Sequence, residues 1–223
     1  MIKAILFDYD GTLSDRRLAA YNMYRHCLGK MRPDLDPAGV EFEGIVQHLM
    51  VADQNGMVPK SYVWRQLKEN YIPDLDVERW ADYWFSNFNN FQCASPGAAE
   101  ILPQLRKHFK TGILSNGAYE SQLAKIKSLK MDELVDEVVI SGQYGIAKPD
   151  PRIFEIAAEK LGVSCEETVF CGDMFFTDVT GAYAAGMKPV WFDPQETVSR
   201  TNIPRVKNFR ELYDFLMTGG GSQ

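Results

Sequence analysis

Apolar and polar positions along the chain follow two rhythms. Five short runs, "KAILFDYDG", "KTGILSNGA", "DEVVISGQYG", "TVFCGDMF" and "KPVWFDP", are rich in Ile, Val, Leu and Phe and lead into Gly, Asp or Asn. Near-continuous apolar runs of this length suit strands buried on both faces of a sheet. Between them lie stretches with helical periodicity, such as "YESQLAKIKSLKM" and "PRIFEIAAEKLGV". Strand alternating with helix predicts an α/β fold built on a doubly wound, Rossmann-like parallel sheet.

One interval breaks the alternation. From Leu18 to Cys93 no strand pattern occurs, but four helical ones do: "RLAAYNMYRHCLGKM", "GVEFEGIVQHLMVADQ", "KSYVWRQLKENY" and "DVERWADYWFSNFNNF". The pattern predicts an α/β core over 1–15 and 94–218, a helical domain inserted at 16–93, and a flexible glycine-rich tail at 219–223. "SPGAAEILPQLRKHF" returns to the core, with Ser95 or Pro96 expected to open its helix. Trp80, Trp84, Phe88 and Phe91 fall at helical spacing and are read as a packed face of the insert. His26, His48 and His108 sit in no ligand pattern, and Arg16 and Arg17 are read as solvated charges at the start of the first inserted helix, with contact to a substrate anion as the alternative.

Composition narrows the class. With 223 residues, 45% hydrophobic and 24% charged, the chain has ordinary globular proportions. Charges interrupt every apolar run before the ~20 residues a membrane span needs. The opening residues read as a first strand rather than a signal peptide. A net charge of −6 argues against nucleic acid or an anionic membrane as partner. Four cysteines without CxxC spacing suggest no disulfide framework, so a cytoplasmic, reducing setting is expected. Nothing in the pattern specifies an oligomeric state.

The chemistry lies at the strand tips, where open parallel sheets bind ligands. The first strand ends in Asp8-Tyr9-Asp10-Gly11-Thr12 and the second in Ser115-Asn116-Gly117. Lys148 follows the third, while Asp173 and then Asp178 follow the fourth. Carboxylates, a hydroxyl, an amide and an ammonium at one sheet edge suit Mg²⁺-assisted attack on a phosphate. The metal takes oxygen ligands, and the phosphoryl oxygens need donors and positive charge. Asp8 and Asp10, two apart in an extended segment, face the same way and can address one substrate, one as nucleophile and one as acid. Gly11 permits the turn that brings the backbone close.

"DYDGTLSD", "LSNG", "AKPDPRIF" and "GDMFFTDVTGAYAAGM" resemble, in order, the motifs of the haloacid dehalogenase-like (HAD) hydrolase superfamily. The inserted helical domain resembles that family's type 1 cap, which would close over the substrate. The resemblance implies that Asp8 is the nucleophile forming an aspartyl-phosphate and also a Mg²⁺ ligand. It implies that Asp10 protonates the leaving oxygen and touches the metal through its backbone carbonyl. Ser115 and Asn116 would hold the phosphoryl group, Lys148 would neutralise it and Asp8, Asp173 would ligate Mg²⁺, and Asp178 would bind the metal or orient its water. Dehalogenases lack an acid at the position of Asp10, so phosphate ester chemistry is favoured. Two departures stand out: Met174, Phe175 and Phe176 follow Asp173, and Gln143 occupies a place often held by Glu.

The expected activity is therefore phosphoric monoester hydrolysis of a small phosphorylated metabolite. A phosphomutase of the same family is the alternative, and a non-enzymatic phospho-acceptor module like a receiver domain is a further one. The substrate stays open among nucleoside monophosphates, sugar phosphates and phosphoglycolate.

Overall fold

The computed structural model describes residues 1–219. Apart from Gly219, the expected tail lies outside the described residues. Backbone packing separates two compact units: Met1–Asp15 with the chain from Ala94 onward, and Arg16–Cys93.

The first unit carries a six-stranded sheet. Its strands are β1 (Ala4–Phe7), β2 (Lys110–Ser115), β3 (Glu137–Ile140), β4 (Thr168–Gly172), β5 (Lys188–Phe192) and β6 (Arg205–Val206). The order is β3-β2-β1-β4-β5-β6, with every pairing parallel. The five apolar runs form β1 to β5. β6 has no counterpart among them, because two residues carry no period; Val206 reaches the core through pairing with Phe192.

Strand alternation explains the helices on both faces. Ile5 and Phe7 point to one side of β1, where they pack in a core with Ile113, Val169 and Phe209. Ala4 and Leu6 point to the other, against Leu114, Phe154 and Phe170. The first face is covered by α5 (Ala98–Leu105), α6 (Tyr119–Ser128) and α9 (Phe209–Met217), the second by α7 (Pro151–Leu161) and α8 (Thr180–Ala184). α5 starts later than Ser95 or Pro96. Gly97, at φ +83°, is its N-cap, and the Ser95 carbonyl accepts from the Ala98 N–H across the turn.

The second unit is helical: α1 (Arg16–Met31), α2 (Val40–Asp53), α3 (Lys60–Asn70) and α4 (Val77–Asn87). Trp84 and Phe88 are buried in its core, stacked with ring centroids 4.8 Å apart, and Trp80 and Phe91 pack on the same cluster. Arg16 departs from its reading as a solvated charge. Its guanidinium donates to the buried Asp53 at 2.8 Å, and Asp53 also accepts from Tyr24 at 2.7 Å and pairs with Lys60. Burial by itself would push the Asp53 carboxyl up, but Lys60 and Arg16 outweigh it and hold the group below its ordinary value. The cause lies 37 residues away in sequence, so no local pattern could show it.

Candidate active site

All seven predicted site residues lie in the α/β unit, and the strand order explains where. β1 sits between β2 and β4, at the point where the connections change direction and a crevice opens beyond the strand ends. Asp8 follows β1 directly, Ser115 is the last residue of β2, and Asp173 follows β4. The Asp8 N–H donates to the Cys171 carbonyl at 2.9 Å, which ties the tip of β1 to β4.

Asp8, Asp173 and Asp178 each offer a carboxylate oxygen within 4.8 Å of the others. Asp178 arrives by a single π-turn over Phe175–Val179, the stretch whose two phenylalanines depart from the family pattern. Its Oδ2 accepts from the Met174 N–H at 3.0 Å, so the acid braces its own turn. The Trp191 indole donates to the Asp173 carbonyl at 2.9 Å and holds that backbone in place. Gly11 completes the approach. At φ +96° it takes a conformation that disfavours side chains, and a Cβ there would lie 2.4 Å from Asp173 Oδ2.

Lys148 joins the acids. Its Nζ donates to Asp8 Oδ1 at 2.6 Å and to Asp178 Oδ1 at 2.7 Å, and the side chain is buried. Burial would lower its pKa, but the two carboxylates outweigh burial and raise it, which keeps the ammonium charged. Asn116 holds this loop through a reciprocal pair: its amide donates to the Lys148 carbonyl and accepts from the Lys148 N–H, both at 2.9 Å. The Asn116 side chain thus serves Lys148.

Electrostatics define what the pocket can hold. Burial and the charge of Asp178 push Asp8 up to about 7, against the opposing pull of Lys148. Burial together with Asp8 and Asp178 pushes Asp173 well above the carboxylate range. Ionised together, the three carboxylates would face one ammonium with two negative charges uncompensated, which is why protons are retained there. A divalent cation that prefers oxygen matches both the charge and the donor set, so these residues fit such an ion.

Asp10 behaves differently from its neighbour. Its carboxylate is absent from the three-acid group and turns towards α6, where Oδ2 accepts from Gln122 Nε2 at 2.6 Å and Lys125 Nζ at 2.9 Å. The positive partner of Asp10 is thus Lys125, while Lys148 serves Asp8. Gln122 also donates to Ser115 Oγ at 2.8 Å. Sequence reading took "YESQLAKIKSLKM" only as a helix. The available signal was Gln122, a polar residue four before Ile126 on the apolar face.

A family model described as haloacid dehalogenase-like hydrolase matches residues 5–192, a span that contains each of these acids. The chain belongs to the haloacid dehalogenase-like hydrolases. Within this family, a glyceraldehyde 3-phosphate phosphatase of Pyrococcus abyssi is 33% identical over 209 residues, covering 86% of this chain and 82% of the relative. The pyrimidine 5'-nucleotidase YjjG of Escherichia coli is 26% identical over 156 residues, 69% of each chain. Among solved structures, a HAD family hydrolase from Deinococcus radiodurans R1 with bound phosphate and sodium superposes with a TM-score of 0.75 at 21% identity. That match covers 98% of this chain and 96% of the other, and it shows a shared fold. No helix among the described residues is long and apolar enough to cross a membrane.

Proposed function

We propose that this haloacid dehalogenase-like hydrolase is a Mg²⁺-dependent phosphatase that cleaves a small phosphomonoester through an aspartyl-phosphate on Asp8. The observation that carries the reading is the buried group of Asp8, Asp173 and Asp178 with Lys148 Nζ 2.6 Å from Asp8. Asp8, Asp173 and the main-chain carbonyl of Asp10 are the proposed metal ligands, with Asp178 binding directly or through a water. When bound, such a cation would favour the ionised form of Asp8, which burial and Asp178 disfavour, and would stabilise negative charge on the phosphoryl oxygens.

The chain's own residues then divide the work. Asp8 Oδ attacks phosphorus while the bond to the leaving oxygen breaks, and Asp10 gives that oxygen its proton. Ser115, the Asn116 main-chain N–H and the Lys148 ammonium hold the transferring group. Asp10 next takes a proton from water as it attacks the aspartyl-phosphate, which releases inorganic phosphate and restores Asp8. The buried Asp10 Oδ1 has no hydrogen-bond partner among the described residues, so that edge of the carboxylate is left for the leaving oxygen or the water.

The substrate class is a small phosphorylated metabolite. The Pyrococcus abyssi relative acts on glyceraldehyde 3-phosphate, which makes three-carbon phosphates the first esters to try. The test is phosphate release from a panel of metabolites, with Mg²⁺ and with EDTA, by wild type and Asp8→Asn. Turnover that needs both the metal and Asp8 is expected. Near-wild-type phosphate release by folded Asp8→Asn would sink the assignment.

A further inference from the structure

α6 contributes a device that no part of the reaction scheme has used. Gln122 is 3% exposed and sits beneath the strand tips. Its Nε2 donates one hydrogen to Asp10 Oδ2 at 2.6 Å and the other to Ser115 Oγ at 2.8 Å. The carboxylate can only accept, so the amide nitrogen must face it; a reversed amide would set oxygen against oxygen. Ser115 Oγ, having accepted that N–H, keeps its own hydrogen for another acceptor. Gln122 therefore sets the direction of the hydroxyl as well as the position of the acid.

Three further features keep the amide in place. Lys125, three residues on and on the same helix face, donates to the same Asp10 oxygen at 2.9 Å. With Oδ2 tethered twice, rotation of the carboxylate is blocked and Oδ1 is its open edge. The fully buried Tyr9, which lies between the two acids in sequence, donates its hydroxyl to the Lys125 carbonyl at 2.8 Å and binds α6 to the β1 turn. Gly117 leaves the room Gln122 occupies, since a Cβ there would approach Gln122 Oε1 to 3.3 Å. The Gln122–Ser115 bond is buried, where a hydrogen bond is electrostatically stronger than an exposed one.

We infer that Gln122 is a positioning residue that locks the proton-handling carboxyl of Asp10 and the phosphoryl-binding hydroxyl of Ser115 in one arrangement, with Lys125 as the second tether. The inference rests on the phosphatase reading above.

The experiment compares two substrates that differ in their need for a proton. An alkyl phosphate expels an alkoxide, a poor leaving group that depends on a proton from Asp10. 4-Nitrophenyl phosphate expels a stable phenolate and depends on that proton far less. The variants are Gln122→Met, which keeps length and loses both donors, together with Lys125→Met and Lys125→Arg. In Gln122→Met and Lys125→Met, the ratio of kcat/KM for the alkyl ester to that for the aryl ester is expected to fall about tenfold or more, with the loss in kcat. Lys125→Arg, which restores the charge, should recover most of it. A merely structural role would lower both substrates together, and an unchanged ratio in both Met variants overturns the inference. Should Gln122→Met fail to fold, the partly exposed Lys125 pair still decides the matter. A wild type that releases phosphate from no ester of the metabolite panel and none from 4-nitrophenyl phosphate refutes the phosphatase reading itself and the inference with it, whereas an active wild type whose variants leave the ratio unmoved refutes the inference alone.

Discussion

Gly11→Ala isolates how closely the backbone must approach the acids. Two costs arise, and they are separable. The first is conformational: at φ +96° an L side chain is strained, by about 1–3 kcal/mol. For a chain of this size that lowers Tm by about 2–4 °C per kcal/mol. The second is steric. The new Cβ would stand 2.4 Å from Asp173 Oδ2, 2.6 Å from its Cγ and 2.8 Å from Oδ1. Ordinary carbon contacts begin near about 3.5 Å, so the carboxylate must withdraw by roughly 1 Å. Metal ligation tolerates only about 0.2 Å, and displaced supports of a metal site typically cost about tenfold to a hundredfold in affinity. The Mg²⁺ concentration for half-maximal phosphate release should rise by that factor. Gly186→Ala is the control, because Gly186 has a similar φ of +79° with nothing within 4 Å of its added Cβ. It should lose stability and keep the wild-type Mg²⁺ midpoint. Melting curves in EDTA and Mg²⁺ titrations of both variants provide the measurement. A Gly11→Ala enzyme with an unchanged Mg²⁺ midpoint would refute the reasoning that Asp173 is placed by the absence of a side chain at residue 11.

Other outcomes follow from the same charges. Burial raises Asp8 to about 7, above its unfolded value, so the stability this group contributes to the metal-free fold is fully present below about pH 4. That stability is lost as pH rises through about 7, so Tm in EDTA should fall between about pH 4 and 7. Saturating Mg²⁺ should flatten or reverse this slope; a Tm in EDTA that climbs with pH would contradict the buried three-acid group. Binding the cation must displace that proton, so apparent Mg²⁺ affinity should weaken as pH falls below about 7, as read by calorimetric titration. Lys148→Met removes the ammonium shared by Asp8 and Asp178 and should destabilise the metal-free protein by about 3–5 kcal/mol in urea unfolding, with a larger rescue by Mg²⁺ than in wild type. Asp53→Ala leaves Arg16 and Lys60 without their shared carboxylate and should cost the helical unit about 3–5 kcal/mol by the same assay.

The sequence by itself determined the fold class and the family resemblance. Parallel strands are buried on both faces, so β1 to β5 are written as dense apolar runs, and the candidate acids Asp8 and Asp173 directly follow β1 and β4. The grouping of Asp8, Lys148, Asp173 and Asp178 was legible for that reason, and the burial of Trp84 and Phe88 because helical spacing reports a packed face. Tertiary structure decided what depends on partners distant in the chain. Gln122 and Lys125 meet Asp10 across more than a hundred residues, so a helix that reads as ordinary turns out to hold the acid. Arg16 looked solvated until α2 and α3 supplied Asp53 and Lys60. β6 exists only through its pairing with β5. Periodicity records which face of an element is dry. It carries nothing about which other element a polar group will meet there, and that pairing is what gives Asp8 and Asp10 different partners.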